Sequence, residues 1–506
     1  MGSTNATHLL LLSVLGWGSA ASTGCSTDFN PATCDLDSDC GTGSVCEIRS
    51  AVNVCVAAAE ATIRIGESAP ATGTNQDLGV GMKLGIDLAF KEANDAGGIR
   101  GRKLELEFRD DGYVPDVADL KVRELTDVKT TNEAPRCPTT TMPPVATDPA
   151  ASTTRLDRGP NAVLAILGNV GTPTMARSAP IAVETQTLFF GAFTGATNML
   201  RDTKAGECGK FIFNVRGSYA QEARATVEYF KGKKGITDYR NVISFDQHDS
   251  FGDAGFNGLV AAWNAIFGEG SGASSIKRFQ YERGIDPATT VPPQVAAATA
   301  YIESRLVAQP SGTVTIGVMM TDTHSYGEVF IKGVRDWQYD GQTSAGKSTR
   351  LQLAFSNVSF VGPNTLAAQL VADGAITNRP GAHYTDDVVV SQVVPNYQAD
   401  QSEVVVRYNQ LIAASGATPS FVSLEGYIAA RVFIAGLMAH KGPFTPANLI
   451  PTFESLPDLA LGLGANAGFS GASHQYTQSV WGTSIGTDGR FSNLYFWSLG
   501  QDITFY

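Results

Sequence analysis

From residue 62 onward, the sequence alternates short β-rich runs with longer stretches whose apolar residues recur at helical spacing. Residues 62–66 form the first β-rich run, and residues 80–96 carry the first helical pattern, which ends at a Gly-Gly pair. Later examples are the strand-like runs 241–246 and 314–320. Strands that alternate with long helices build βαβ units and parallel sheets. The sequence therefore predicts an α/β protein, and its 506 residues are enough for two doubly wound sheets.

Two stretches depart from this alternation. Residues 129–160 are rich in Thr, Pro and Ala, which indicates a surface insertion or a flexible loop. Cys137 lies inside this insertion and favours a disulfide tether. Near the end of the chain, residues 479–485 and 494–499 flank an Asp-Gly pair, as the two strands of a hairpin do.

The N-terminus has the pattern of an export signal. A short apolar stretch at residues 9–15 is followed by small residues and then by Cys25, which predicts a signal peptide over residues 1–24. Ser-Thr-Gly-Cys at 22–25 resembles the lipobox of bacterial lipoproteins, although it lacks the usual Leu three residues before the Cys. We therefore expect Cys25 to carry lipid and anchor the protein to a membrane. The alternative is a secreted protein with Cys25 in a disulfide. No later stretch is expected to be apolar for long enough to form a transmembrane helix.

Cysteine usage agrees with export, because five of the seven cysteines crowd into a spacer at residues 25–59. If Cys25 is acylated, an even number remains, and six cysteines allow 15 pairings. Sequence separation suggests that the crowded cysteines pair among themselves and that Cys137 pairs with Cys208. Zinc is a weaker alternative, because the cluster has no CxxC pair and no histidine. The crowded cysteines that remain for disulfides are Cys34, Cys40, Cys46 and Cys55.

Other function classes find little support. The formal net charge of −12 and the lack of a basic run give no reason to bind nucleic acid. The chain has no Gly-x-Ser-x-Gly elbow and no HExxH motif, so no catalytic residue, metal or cofactor is predicted. His248 and Asp249 are adjacent, but a solvated pair is the simpler interpretation. A secreted enzyme stays only as a distant alternative.

Several motifs, taken in order, resemble the type I periplasmic binding proteins, the branched-chain amino-acid (Leu/Ile/Val)-binding proteins and their relatives that serve ABC importers. The similarity runs from about residue 62 to the end, and each motif alone is weak. The motifs are IGESAP at 65–70, GIDLAFKEANDAGGIRGRKL at 85–104, AILGNVGTPT at 165–174, FFGAFTGA at 189–196, FNVRGSY at 213–219, FGDAG at 251–255 and LEGYIAAR at 424–431.

This resemblance implies two lobes joined by three crossovers, with a ligand in the cleft and closure about a hinge. The first lobe would comprise residues 60–216 and 396–456, and the second residues 217–395 and 457–506. The expected function is that of a solute-binding lipoprotein of an ABC importer. It would bind an amino acid, an amide or a carboxylate and deliver it to a membrane permease. A ligand-sensing module for a separate signalling partner is the alternative.

The clearest candidate ligand contacts are Gly171 and Thr172, between a buried strand and a helix that begins near Pro173. Free N–H groups and the helix dipole favour a carboxylate there, and the resemblance implies the same contact. A helix cap is the alternative role of Thr172. The loop with Phe193, Thr194 and Gly195 follows the next strand at the same sheet edge, where open α/β sheets bind ligands.

The remaining candidates are weaker. Asn75 and Gln76 lie in the first βα loop, which approaches the cleft in relatives. In the second lobe, Phe251 occupies the place where many relatives have a Tyr. Relatives that bind amino acids commonly have a Glu after the strand at 351–355, and this chain has none there. The last candidates follow predicted strands of the second lobe and are Asp322, Tyr326 and Ser359. Asp322 could replace the missing Glu.

Overall fold

A computed structural model describes residues 33–49, 52–137, 154–197, 208–341, 346–464 and 467–506. The predicted signal peptide, Cys25 and residues 138–153 of the predicted insertion lie outside these ranges. The two ends of the insertion, residues 129–131 and 155–157, pair as short antiparallel strands. The described chain forms two large sheets, each covered by helices.

Seventeen strands are present in the described residues, and most coincide with the β-rich runs of the sequence. In chain order they are β1 (Ser44–Arg49), β2 (Val52–Ala57), β3 (Ile63–Ala69), β4 (Leu104–Asp110), β5 (Lys129–Thr131), β6 (Arg155–Asp157), β7 (Ala165–Leu167), β8 (Leu188–Phe190), β9 (Ile212–Phe213), β10 (Val242–Gln247), β11 (Lys277–Tyr281), β12 (Val314–Thr321), β13 (Leu351–Asn357), β14 (Val388–Gln392), β15 (Ser479–Ile485), β16 (Phe491–Ser498) and β17 (Thr504–Phe505).

The helices likewise follow the sequence pattern. They are α1 (Gln76–Asp95), α2 (Pro115–Leu125), α3 (Thr172–Glu184), α4 (Tyr219–Lys234), α5 (Ser250–Phe267), α6 (Pro287–Ala308), α7 (His324–Gln338), α8 (Lys347–Arg350), α9 (Pro363–Asp373), α10 (Glu403–Ser415), α11 (Phe421–Ala439) and α12 (Pro446–Glu454).

The predicted α/β class with two doubly wound sheets is confirmed. The first sheet has the order β4-β3-β7-β8-β9 and is parallel throughout. The second has the order β11-β10-β12-β13-β14-β15-β16-β17, and its first five strands are parallel. The last three strands join antiparallel, because the C-terminal hairpin predicted at the Asp-Gly pair adds to the edge of this sheet. We call the first sheet with its helices the first lobe and the second sheet with its helices the second lobe.

The first lobe is tied together by close packing of α1 on α11. Gly85 makes this contact possible, since a Cβ atom there would lie 2.0 Å from the Ser423 carbonyl oxygen. Helix α11 is long and apolar enough to cross a bilayer by length and composition, so the expectation of no such segment was wrong. However, 78% of its apolar window is buried inside the fold. Packing in a protein core therefore accounts for its composition.

The cysteine-rich segment folds as a small hairpin of β1 and β2, which we call the cysteine knob (residues 33–57). The structure pairs Cys34 with Cys46 and Cys40 with Cys55, as expected for pairing within the cluster. The sulfurs of Cys34, Cys40 and Cys55 lie close together, but each is already bonded in a disulfide, which argues against the zinc alternative. The third disulfide, Cys137–Cys208, tethers the insertion to the first lobe.

The knob rests on the first lobe through a buried cation. The side chain of Arg102 is fully buried and lies 3.2 Å from the Asp37 carboxylate and 3.0 Å from that of Glu47. Its guanidinium also donates a hydrogen bond to the carbonyl of Cys46. A buried guanidinium is costly unless it is paired in this way, so the knob and the lobe form one packed unit.

Substitution of Gly85 by Ala tests the α1–α11 contact. The added methyl would meet backbone atoms, which cannot turn aside, so the helices must separate. We expect the free energy of unfolding to fall by about 1–3 kcal/mol in chemical denaturation. Gly41→Ala is the matched control, because nothing lies within 4 Å of that position. Equal stabilities of the two variants would contradict the packing described here.

Candidate ligand-binding site

Five aromatic rings meet where the carboxyl ends of the two sets of parallel strands face one another. Phe360 of the second lobe lies at the centre, with ring centroids 4.8 Å from Phe251, 5.0 Å from Phe193 and 6.0 Å from Tyr113. Tyr219 completes the group at 5.3 Å from Phe251. We call these five residues the ring cluster. Tyr113 and Phe193 come from the first lobe and the other three from the second, so the cluster spans the interface between the lobes.

Tyr113 reaches this position because two carboxylates shape the loop after β4. Asp111 accepts hydrogen bonds from the Tyr113 N–H (2.9 Å) and from the Ser68 hydroxyl (2.7 Å). Asp110 accepts from the N–H groups of Ala71 and Gly112. The backbone of Tyr113 has a φ of +61°, a conformation that is strained for a residue with a side chain. The strained backbone of Tyr113 thus directs its aromatic ring into the interface between the lobes.

Gly171, the first residue of the predicted binding loop, lies against the Tyr113 ring. Gly171 has a φ of +101°, and a Cβ there would lie 2.3 Å from Cε2 of Tyr113. Gly171 is the N-cap of α3 but supplies no side-chain cap, so the first N–H groups of the helix are without a capping side chain. Thr172 is fully buried, and its hydroxyl lies 2.6 Å from that of Thr194.

Thr194 and Gly195 continue this surface toward the second lobe. The carbonyl of Phe193 accepts from Gly171 N–H, which locks the two loops together. The carbonyl of Gly195 accepts from the Tyr219 N–H at 2.7 Å, and a Cβ at Gly195 would collide with the Tyr219 ring. Burial raises the pKa of the Tyr219 phenol, while the nearby guanidinium of Arg216 acts to lower it. Two hydroxyl-bearing residues and a helix N-terminus therefore border the rings.

Arg216 lies directly beneath the ring cluster. Its guanidinium carbon is 5.2 Å from the Phe193 centroid, and its side chain is almost completely buried. Two carboxylates neutralise it: Glu222 of the second lobe at 2.9 Å and Glu425 of the first lobe at 3.4 Å. Glu222 also accepts from the backbone N–H of Ser359, the residue before Phe360. This network connects the two lobes and fixes the turn that presents Phe360.

A second contact between the lobes lies beside the first βα loop. Asp77 of α1 is 3.1 Å from the His324 imidazole and accepts a hydrogen bond from the Thr365 hydroxyl at 2.6 Å. Burial acts to raise the pKa of Asp77, but these two contacts bring it below its usual value. Asn75 precedes this contact, and its buried Oδ1 has no hydrogen-bond partner among the described residues. Gln76 is exposed.

The predicted residues of the second lobe fall into two groups. Phe251 belongs to the ring cluster, and Ser359 hydrogen-bonds to Glu222 beside it. Tyr326 is instead engaged in holding the loop before α6, because its hydroxyl donates to the Ile285 carbonyl. Asp322 accepts from the Asn357 amide at 2.7 Å, and burial raises its pKa well above the usual range. A role for Tyr326 and Asp322 at the ligand stays a prediction.

Sequence reasoning missed four residues of this site. The Asp-Asp-Gly turn before Tyr113 was a usable signal, since such turns orient the next residue. Tyr219 follows a Ser that caps α4, and Arg216 lies in the middle of the FNVRGSY motif (213–219) that ends at Tyr219. Phe360 had no local signal, because only the folded chain shows that a ring after Ser359 enters the space between the lobes.

Comparison with known proteins agrees with this architecture. A family model described as periplasmic binding protein matches residues 62–131. A possible leucine/isoleucine/valine-binding protein from Rhodopirellula baltica SH 1 is 29% identical, with a TM-score of 0.66, over 87% of this chain and 98% of that one. The chain is similar to type I periplasmic binding proteins in this segment and in its fold. None of the curated proteins matches it.

More distant structures share the fold of this chain. A leucine-binding protein from Thermotoga maritima MSB8 is 14% identical, with a TM-score of 0.61 over 87% of this chain and 99% of its own. A solute-binding protein of an ABC transporter from R. palustris, solved with benzoate, is 17% identical, with a TM-score of 0.57 over 86% and 95%. At these identities the likeness concerns the fold alone.

Replacing Arg216 by Met tests the paired charge beneath the rings. The substitution leaves Glu222 and Glu425 buried without their cation, so the free energy of unfolding should fall by about 3–5 kcal/mol. Arg224→Met is the control, because Arg224 makes a half-exposed pair with Glu228, and pairs of this kind contribute little. Denaturant titration measures both. A loss in Arg216→Met no larger than in the control would contradict the assigned role.

Asp111→Asn tests the carboxylate that holds Tyr113. Burial raises the pKa of Asp111 from 3.8 to about 6, so the folded protein loses stability as pH rises from about 4 through 6. The amide cannot ionise and avoids this loss. We expect the variant to gain about 2–3 kcal/mol relative to the native protein between pH 4 and pH 7, as measured by chemical denaturation.

The neighbouring Asp110 provides a control of opposite sign. Burial acts to raise its pKa, but hydrogen bonds from Ala71 N–H and Thr72 outweigh burial and bring the pKa below the usual value. Asp110→Asn should therefore lose stability relative to the native protein as pH rises. If the two variants showed the same pH trend, the account of this loop would be wrong.

Proposed function

We propose that this protein binds a small carboxylate, amide or amino acid between its lobes and delivers it to an ABC permease. The ring cluster carries the proposal, because it joins side chains of both lobes at the carboxyl ends of their strands. Ligands of open α/β sheets bind at this edge. A ligand that touches both walls binds the closed arrangement better than an open one, which is the requirement for ligand-driven closure.

The first-lobe wall suits the anionic end of such a ligand. Gly171 and Thr172 begin a helix of 13 residues, whose N-terminus carries a partial positive charge. The hydroxyls of Thr172 and Thr194 are hydrogen-bonded to each other at the same place, and the one that accepts this bond can donate its own proton to an oxygen of the ligand. Together these groups can hold a carboxylate without a dedicated cation.

Attachment to the membrane is a further part of the proposal. The cysteine knob lies at the start of the described residues and packs on the first lobe through Arg102. Lipid on Cys25, a few residues before the knob, would hold the binding protein beside the permease that accepts its ligand. Delivery to a signalling partner instead of a permease is the alternative.

A thermal unfolding screen tests the binding function. The purified protein is heated with a panel of amino acids, amides and organic acids. A ligand that binds only the folded state raises the midpoint in a concentration-dependent way. We expect a reproducible rise with one chemical class. If no member of a broad panel moves the midpoint of a folded protein that was refolded from denaturant to remove any bound molecule, the proposal fails.

Thr172→Ala tests the position of the anionic end. A hydrogen bond to a charged group contributes about 1.5–3 kcal/mol, so the Kd should rise about 10- to 100-fold in calorimetry. Thr185→Ala is the matched control, because this buried threonine lies at the other end of α3 and donates to the Ile181 carbonyl. The control should bind normally. Unchanged affinity in Thr172→Ala would exclude this residue from the site.

A further inference from the structure

We propose that the ligand of this protein is a carboxylate that carries an aromatic ring, and that recognition does not depend on an α-amino group. This inference rests on the proposed function and names the chemical class that the same site selects. It follows from three observations: the number and arrangement of rings, the polar groups at one end of them, and the way in which the neighbouring acids are already paired.

The ring cluster defines a position suited to an aromatic ring. The Phe360 side chain is fully buried, and rings of Tyr113, Phe193 and Phe251 surround it at 4.8–6.0 Å between centroids. The plane of the Phe360 ring is inclined by 32° to that of Phe193 and by 62° to that of Phe251, so neighbouring rings approach it both face-on and edge-on. Such geometry favours ring–ring contacts beyond the burial of apolar area. These rings contact one another here, so a ligand ring enters only when the lobes separate, and it would then meet aromatic surface from both.

The polar groups lie at the first-lobe side of the cluster. The Tyr113 ring packs on Gly171, and the Phe193 carbonyl accepts a hydrogen bond from the Gly171 N–H. The rings therefore adjoin the start of α3. The hydroxyls of Thr172 and Thr194 are there as well. A ligand with its ring among the aromatic side chains would therefore present a carboxylate directly attached to that ring, or one carbon away, to the helix N-terminus.

The acids that pair with Arg216 or cap the helix bearing Phe251 are engaged within the protein. Glu222 and Glu425 share the charge of Arg216. Asp249 caps α5 through the Phe251 N–H and lies 3.3 Å from the Arg283 guanidinium. An amino acid would need an anionic partner for its ammonium group, and recruiting one of these acids would break an existing ion pair. Asp322 already accepts a hydrogen bond from the Asn357 amide, and burial opposes its ionisation by raising its pKa. This arrangement disfavours a free ammonium and suits a simple aromatic acid.

Calorimetry with four probes tests the inference on the full-length protein. Benzoate and phenylacetate represent the proposed class, cyclohexanecarboxylate is the matched non-aromatic ring, and leucine represents branched-chain amino acids. We expect an aromatic acid to bind at least about tenfold more tightly than cyclohexanecarboxylate and leucine, because two or more flanking rings favour an aromatic partner.

Replacing single rings of the cluster by leucine tests whether they cause the preference for an aromatic ligand. Phe193→Leu and Phe360→Leu should each bring the affinities for benzoate and cyclohexanecarboxylate close to equality. Phe267→Leu is the control, since this ring lies at the opposite end of α5 from Phe251, against Trp263. The ratio of the two affinities is measured within each variant, so a general loss of stability does not imitate the effect. If one variant fails to fold, the other still tests the position.

The outcomes separate the inference from the function on which it rests. Aromatic preference that disappears in Phe193→Leu or Phe360→Leu, but not in Phe267→Leu, supports it. Tight binding of leucine or of cyclohexanecarboxylate, with no preference for an aromatic acid, overturns the inference and leaves the solute-binding function intact. Aromatic preference that both ring variants retain overturns the assigned position. Failure of every probe, together with the failure of the broader thermal panel, overturns both.

Discussion

The buried guanidinium of Arg216 is the interaction on which the relation between the lobes depends. Arg216 follows β9, the last strand of the first sheet, at the point where the chain passes to the second lobe. A buried charge of this kind is tolerated only when it is paired, and its two partners come from opposite lobes. Arrangements that separate Glu222 from Glu425 therefore cost free energy unless water or a ligand replaces the lost contact.

The ring cluster follows from that pairing. Glu222 holds Arg216 and also the backbone of Ser359, so the turn that bears Phe360 is positioned by the same carboxylate. Phe360 then meets Phe193 and Tyr113 across the interface. On the first-lobe side, Asp111 stabilises the strained backbone of Tyr113. The chemistry of the site, apolar rings bordered by hydroxyls and a helix N-terminus, is thus built on a small number of buried ionic contacts.

Much of the fold could be predicted from the sequence, since period-two and helical patterns mark most of the strands and long helices. The short helices α9 and α12 were missed, because 11 and 9 residues carry too few turns to show a clear periodicity. The apolar pattern of the sequence predicts a helix over residues 295–308, whereas helix α6 begins at Pro287, because Asp286 caps it and the first turn accepts proline. Boundaries set by such caps are difficult to read from apolar spacing.

The site was only half predictable. Gly171, Thr172 and Phe193 follow strands in the first sheet, so their place at the sheet edge follows from topology. Phe360 and Arg216 depend on how two lobes meet, and a contact between residues 216, 222, 359 and 425 leaves no local pattern in the sequence. Tyr326 illustrates the reverse: it follows a strand as a ligand contact would, yet its hydroxyl is used to hold a neighbouring loop.

A crystal structure of the ligand-bound protein tests the central claim most directly. We expect the ligand between the lobes, in contact with Phe193 and Phe360, with its acidic end at Thr172 and the N-terminus of α3. A ligand bound elsewhere, with Phe360 still packed against Phe193 and Tyr113 as it is here, would contradict it.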